Sequence, residues 1–426
     1  MGWYPIILLL LLLALNMRVA FAVSLAGMFF FLMSPNIPTE LFIQRFVSAT
    51  HSFPLLAVPF FVLAGVIMNA SGVTRRLMAL ADVFVGHRIG GLAKVNILLS
   101  TLMGGMSGSA NADAAMQSKI LVPEMTKAGY DKAFSTAVTA SSSIISAIIP
   151  PSIGLILFGY LGNVSIGKLF VAGLIPGVIL CVGLMLVAGH VSKIRGYAPK
   201  RSVAADWFER RSVLLESFWA ILLPIGIISG IRFGFFTPTE AGAAAVVYAS
   251  IVGFFYRELT IAKLPEIFLE AVLATSIVML IICAATSLGY YMSWEQIPKQ
   301  AAEFLLSISD NSLILLLLIN ALLLFIGLFL EGSAGLILLT PILVPVVATT
   351  GIDPVQFGIV MVLNLTIGGL TPPMGTLMFV SCSITGVSIA EFTRAVIPFF
   401  AMLVGILLLL TFVPAFTTML PNLIFG

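Results

Sequence analysis

The chain has 426 residues, of which 60% are hydrophobic and 9% charged, with a net charge of +3. A soluble globular domain carries about a quarter charged residues, so this composition excludes one, and the small net charge gives no sign of a nucleic-acid partner. The runs "PIILLLLLLAL", "VILCVGLMLVAGHV" and "LILLLLINALLLFIGLFL" approach the roughly 20 apolar residues that a helix needs to cross a bilayer, and none alternates as a barrel strand would.

We therefore read an all-α polytopic membrane protein. The N-terminal run, with "AFA" at 20–22, imitates a signal peptide. It has no basic n-region and its apolar sequence continues through Leu32, so it reads as the first membrane segment. "NIPTELFIQRF" (36–46) is amphipathic and reads as an interfacial arm. A stretch with Arg75, Arg76 and Arg88 leads into "GGMSGSANAD" (104–113), a small polar interruption ending in Asp113. "SSSIISAIIPPSIG" (141–154) is a second interruption. Residues 192–212 then hold six basic residues, which marks a cytoplasmic linker. "TPTE" (237–240) fits a capping box, with Thr237 as N-cap, Pro238 at N1 and Glu240 reaching back. "RELTIAKLPEIFLEAV" (257–272) reads as another interfacial arm. "LFLEGSAGLILLTP" (328–341) and "LTIGGLTPPMGT" (365–376) are the third and fourth interruptions. Cys181, Cys283 and Cys382 sit in apolar segments with no disulfide or metal spacing.

The sequence repeats itself. "ILVP" at 120–123 returns at 342–345, an offset of 222 residues. "AGYD" (128–131) matches "TGID" (350–353), "IIPPS" (148–152) matches "LTPPM" (370–374), and "LIPG" (174–177) matches "VIPF" (396–399), all at the same offset. Two homologous halves are expected, joined near residue 200. Charge gives their orientation, because cytoplasmic loops are enriched in Lys and Arg. The flanks of the first polar element carry Arg75, Arg76, Arg88, Lys127 and Lys132. The equivalent flanks in the second half carry Glu295, Glu303, Asp310 and Asp353, with Lys299 the basic residue. The halves are expected to lie upside down relative to each other, as in secondary transporters.

Non-helical backbone at membrane depth is tolerated only where protein buries it or water reaches it. Pro150-Pro151 and Pro372-Pro373 must break their helices, since neither proline has an N–H. The carbonyls freed around Ser146–Ile149 and Gly368–Thr371 suit a hard cation such as Na+. "SGSANAD" and "EGSAG" suit the tips of re-entrant hairpins, whose second arms aim N-terminal dipoles at an anion. Ser107, Ser109, Asn111, Asp113, Gly332 and Ser333 are the candidate substrate contacts, and Asp113 is also a candidate to cap the second arm or tune the site. Small residues also serve plain close packing, but four interruptions in two matched pairs favour a site. Glu331 is a candidate for coupling or for capping, Lys119 and Glu124 for an internal pair or a water boundary, and Arg232 and Arg394 for snorkelling.

Together these stretches resemble the large membrane subunit, the DctM-like component, of tripartite ATP-independent periplasmic (TRAP) transporters. The matching segments include "PFFVLAGVIMNASGVTRRL" (59–77), "SGSANADAA" (107–115), "FTPTEAGA" (236–243) and "GGLTPPMGTLMF" (368–379), in order along nearly the whole chain. Many members carry "SGSSPAT" where this chain has "SGSANAD". The resemblance implies an ion-transporter-superfamily fold with two re-entrant hairpins and two broken helices, moving as an elevator with Na+ coupling. It implies a four-helix small membrane subunit (DctQ-like), a periplasmic binding protein (DctP-like), an organic-acid substrate, the lipid bilayer as surroundings, and the bacterial cell inner membrane as location. Carried over by motif, one Na+ site uses Ser107, Gly108 and Ser109 with Ser146, Ile149 and Pro151. The other uses Gly327 and Gly332 with Gly368, Thr371 and Met374. The expected units are 1–88 (scaffold and arm), 89–165 (transport), 166–290 (scaffold, linker and second arm), 291–386 (transport) and 387–426 (C-terminal helix).

Three other readings compete. A stand-alone Na+/organic anion symporter of the same superfamily would need no binding protein. A channel would need no paired midplane site. An intramembrane serine protease is suggested by "GMSG" (105–108) and His190, but Ser107 would need a base within hydrogen-bond reach.

Overall fold

The computed structural model describes residues 2–15, 17–201, 203–308 and 311–425. Asp310, one of the acids in the orientation argument, lies outside them. Every regular element among the described residues is helical. Six segments are long and apolar enough to cross a membrane: Phe53–Ala70, Ile166–Ile194, Trp207–Arg232, Pro238–Phe255, Ile261–Trp294 and Ile389–Phe412.

The N-terminal run forms two helices instead of one span, α1 (Tyr4–Ala14) and α2 (Val19–Met33). The division falls at Arg18, whose extended backbone (ψ 133°) cannot continue a helix. After α3 (Glu40–Ser48) come α4 (Ala57–Ala70) and the amphipathic α5 (Val73–Val85). Past the linker, α12 (Trp207–Arg232), α13 (Pro238–Phe255) and α14 (Leu264–Trp294) follow. The second arm is not separate, because residues 264–272 are the first turns of α14. α13 begins with the expected capping box on Thr237 and Glu240. These helices form one packed group: α4 on α13, α2 on α14, α5 on α12 and α4 on α14.

The remaining helices form a second group. α6 (Gly91–Ser107) turns at Gly108 into α7 (Ala110–Lys127), and α8 (Lys132–Ser143) runs through a short 3-10 turn to the break before α9 (Ile153–Leu161). Then come α10 (Ile166–Ala172) and α11 (Leu174–Ile194). At the 222-residue offset, α15 (Ile297–Ile308) corresponds to α5. The hairpin of α16 (Ser312–Gly327) and α17 (Gly332–Ala348) corresponds to α6 and α7, while α18 (Pro354–Gly368) and α19 (Thr376–Thr385) correspond to α8 and α9. Equivalent N-caps recur: Ser109 with Glu331, and Asp131 with Asp353. Both Pro-Pro bonds are cis, and both stand in helix breaks as expected.

Two boundaries differ from the sequence reading. Residues 166–194 pack with this second group, α11 against α6 and α20. The C-terminal region is two helices, α20 (Ile389–Phe412) and α21 (Ala415–Phe425), separated at Pro414. Pro414 has no N–H for the preceding turn. Gln356 Nε2 compensates by donating to Leu410 O at 3.1 Å and Thr411 O at 2.9 Å. The two groups meet where α6 crosses α4 and α12. A Cβ on Gly65 would lie 3.3 Å from Ser107 Cα, and one on Gly105 would lie 2.9 Å from Pro224 Cγ.

Candidate functional site

The first hairpin turns on two residues. Gly108 is left-handed (φ 59°), and a Cβ there would collide with the Pro151 carbonyl. Only glycine meets both demands. Ser109, extended, caps α7 by accepting from Ala112 N at 3.4 Å. The Gly108 carbonyl accepts from Ile153 N at 3.2 Å, which ties the tip to the start of α9. Ser107, Gly108, Ser109 and Pro151 are thus brought together, with Ile149 half-buried beside them.

Asp113 does not cap the arm, because Ser109 does. One turn down α7, its side chain is buried, and its Oδ2 accepts from Ser146 Oγ at 2.8 Å. That bond joins the hairpin to the break after α8. Behind it runs a chain of fully buried groups. Gln117 Nε2 donates to Ser100 Oγ (2.8 Å), Ser100 to Ser142 Oγ (2.9 Å), Ser142 to Asn96 Oδ1 (3.1 Å), and Asn96 Nδ2 to Thr139 Oγ1 (2.7 Å). We missed this chain in the sequence. Its signal was there: Asn96 and Ser100, and Asp113 and Gln117, are i, i+4 pairs of polar residues, each pair on one face of its helix.

The second hairpin is capped by Glu331, which accepts from Ser333 N (2.9 Å), Ala334 N (3.2 Å) and Ser333 Oγ (3.1 Å). Of its two candidate roles, capping is the one realised in this geometry. Asn111 Nδ2 reaches Glu331 Oε1 at 3.5 Å, so the two tips meet. Below the second tip the backbones of Gly327 and Gly368 cross so closely that a Cβ on Gly368 would lie 2.6 Å from Gly327 Cα. Thr371 Oγ1 donates to Gly368 O at 2.8 Å. Gly332 stands over α18, the nearest atom to a Cβ there being Thr366 Oγ1 at 3.8 Å. Met374 is exposed. The two breaks differ: Pro150 and Pro151 are buried, whereas Pro372 and Pro373 are exposed.

The donor sets fit a hard cation. Every group offered is an oxygen, hydroxyl, carbonyl or carboxylate, as an alkali or alkaline-earth ion takes. Ser107 Oγ, Asn111 Oδ1 and Asp113 Oδ1 are buried atoms with no hydrogen-bond partner among the described residues. Ser107 therefore has no base in reach, which removes the protease reading. No group of three or more His, Cys, Asp or Glu residues arranged for a metal occurs among the described residues. Lys119 and Glu124 are exposed, and Arg232 lies over the Phe425 ring at 5.7 Å. All three cysteines are buried and free.

Residues 6–416 match the family described as "Tripartite ATP-independent periplasmic transporter, DctM component". The chain is 42% identical over 414 residues to the sialic acid TRAP transporter large permease protein SiaM of Vibrio cholerae, covering 96% of each. It is 36% identical to the C4-dicarboxylate TRAP transporter large permease protein DctM of Pseudomonas aeruginosa, covering 92% of this chain and 91% of that one. Among solved structures, the YdaH transporter of Alcanivorax borkumensis aligns with a TM-score of 0.63 over 90% of both chains at 15% identity, a likeness of fold.

Proposed function

Because the chain belongs to the DctM family of TRAP transporters, as a multi-pass membrane permease subunit and not an enzyme, we propose that it carries out Na+-coupled uptake of an organic acid. The acid is delivered by a periplasmic binding protein, and the chain works beside a small membrane subunit. One observation carries the reading. Two capped hairpin tips meet at Asn111 and Glu331, each beside a helix broken at a Pro-Pro pair. A midplane site between discontinuous helices is what alternating access requires.

The hairpins are re-entrant and the halves inverted on this reading. Support comes from the clustering of basic ends. The linker, the end of α5 and the α7–α8 turn share one face through Arg195–Asp131 (3.6 Å) and Arg201–Asp82 (2.8 Å). The start of α16 lies instead by Thr350, next to the acidic segments of the second half. One Na+ sits among Ser107, Gly108, Ser109, Ser146, Ile149 and Pro151, with Asp113 supplying the negative charge nearby. A second sits among Gly327, Gly332, Gly368, Thr371 and Met374. The anionic substrate binds between the tips, against Ser107, Ser109, Asn111, Gly332 and Ser333. Na+ binding orders the tips and the substrate follows. The second packed group, α6–α11 with α15–α21, then slides against the first as an elevator. Sialic acid and C4-dicarboxylates, which the relatives' names give, both carry the carboxylate that such a site would hold.

The test is uptake of labelled carboxylates into proteoliposomes holding the chain and its small subunit, with and without the binding protein, under an inward Na+ gradient. Uptake that needs both Na+ and the binding protein is expected. Uptake with Na+ alone would make the chain a stand-alone symporter, and uptake indifferent to Na+ would sink the coupling.

A further inference from the structure

The chain passes between its two packed groups at two places on the basic face. Residues 86–90 join α5 to α6, and residues 195–206 join α11 to α12. The two passages are stitched together. Lys200 N and Arg201 N both donate to Gly86 O, at 3.1 and 3.2 Å. Beside them Arg201 Nε donates to Asp82 Oδ2 at 2.8 Å and Arg201 Nη2 to Glu209 Oε1 at 2.6 Å. Lys200 Nζ lies 3.4 Å from Asp82 Oδ1. Asp82 is on α5 and Glu209 in the first turn of α12, so this end of the passage is bound to the first group.

A few residues upstream the same passage is bound to the second group. The Tyr197 ring stacks on Tyr130 at 4.4 Å and packs on Phe134 at 5.3 Å. Its hydroxyl accepts from Asp131 N at 3.0 Å, and Tyr130 Oη donates to Ala198 O at 3.2 Å. Arg195 pairs with Asp131 on the same turn.

We propose that residues 197–201 are a strap holding the second group in the position seen here, and that the strap lets go at its Asp82–Arg201–Glu209 end. The idea rests on the sliding reading above. Four extended residues reach about 14 Å, so a slide beyond that slack must release one anchor. The Tyr197 anchor is an aromatic stack closed by hydrogen bonds to backbone, and the exposed Arg195–Asp131 pair beside it joins α11 to α8 within the second group, so screening that pair leaves the stack in place. The Arg201 anchor joins two backbone hydrogen bonds on Gly86 O to a set of partly exposed ion pairs, and salt screens the ion pairs. Glu209, and with it Asp82, holds the Arg201 guanidinium above its ordinary pKa. It therefore stays charged at any physiological pH, and ionic strength is the lever on this anchor.

The test uses the full chain in its reconstituted membrane complex, with Cys181, Cys283 and Cys382 replaced by alanine. Dyes are placed at Lys127→Cys, the end of α7, and Ile261→Cys, just before α14, both exposed. Single-molecule energy transfer is read with and without Na+ at several salt concentrations. Asp82→Asn and Arg201→Gln should each raise the fraction at the second distance, or its rate of appearance, by roughly two- to fivefold, the range one partly exposed ion pair supports. Added salt should do the same to the unaltered chain, a measurement that needs no variant to fold, and should have a smaller effect in either variant, where Arg201–Glu209 or Lys200–Asp82 is the pair left to screen. Two exchanging distances that neither variant nor salt changes would overturn the strap and leave sliding intact. A single distance under every condition would remove sliding and the strap with it.

Discussion

Gly108 bears two separate constraints, and substitutions can tell them apart. Its positive φ alone costs an alanine about 1–2 kcal/mol, while the Pro151 carbonyl leaves no room for any Cβ. Asparagine tolerates the left-handed backbone but still carries a Cβ. We expect Gly108→Ala and Gly108→Asn to lower uptake alike, and rescue by asparagine would show that the close approach is unimportant. Ser109 and Thr371 test the ion sites. Ser109→Ala and Thr371→Val should each raise the Na+ concentration for half-maximal uptake, and unchanged Na+ dependence in both would refute the assignment. Ser109→Ala should also cost about 1 kcal/mol of thermal stability through the lost cap, which a melting curve separates from the ion effect. The first tip was legible because glycine and serine cluster there, at Gly104, Gly105, Ser107, Gly108 and Ser109, just before an acid. Asp113 was visible but its partner was not, since nothing in a linear sequence aims a carboxylate at Ser146, 33 residues on.

Elements were legible where the backbone imposes the answer. Pro150-Pro151 and Pro372-Pro373 ended helices as prolines must, and "TPTE" formed its box. The same logic applies to "SIAE", where Ser388 and Glu391 form a second box that we did not read. Hydropathy failed where tertiary contacts decide. It could not split α1 from α2, and it read an arm in the amphipathic start of α14. The cap on α17 makes a sharper case. Glu331 serves its own helix and also touches Asn111 across the tips. Glu331→Ala should cost about 1 kcal/mol in capping. A double-mutant cycle with Asn111→Ala should find a further coupling of about 0.5–1.5 kcal/mol, and strict additivity in thermal melts would mean that the tips touch without consequence.

At the scale of the whole molecule, the duplication was readable from the constant offset, but the interleaving of the halves was not. α8 of the first half packs on α20 of the second, with Phe134 and Phe399 ring centroids 5.9 Å apart, and α7 packs on α19. Repeats reveal which segments are alike, whereas contact between unlike segments leaves no periodic trace. The meeting of the tips yields a global prediction: a disulfide between Asn111→Cys and Glu331→Cys should stop uptake, and reduction should restore it. Full uptake by the oxidised protein would mean that the tips need not part. The interleaving also bears on how the protein is made. A ribosome that has completed residues 1–200 has delivered a hairpin and a broken helix whose covering surfaces are still unsynthesised. The buried amides and hydroxyls of Asn96, Ser100, Gln117 and Ser142 must wait in the membrane until α19 and α20 emerge nearly two hundred residues later. A nascent chain arrested before residue 389 is therefore expected to be a substrate for membrane quality-control proteases. The full chain becomes resistant only when its last tenth arrives.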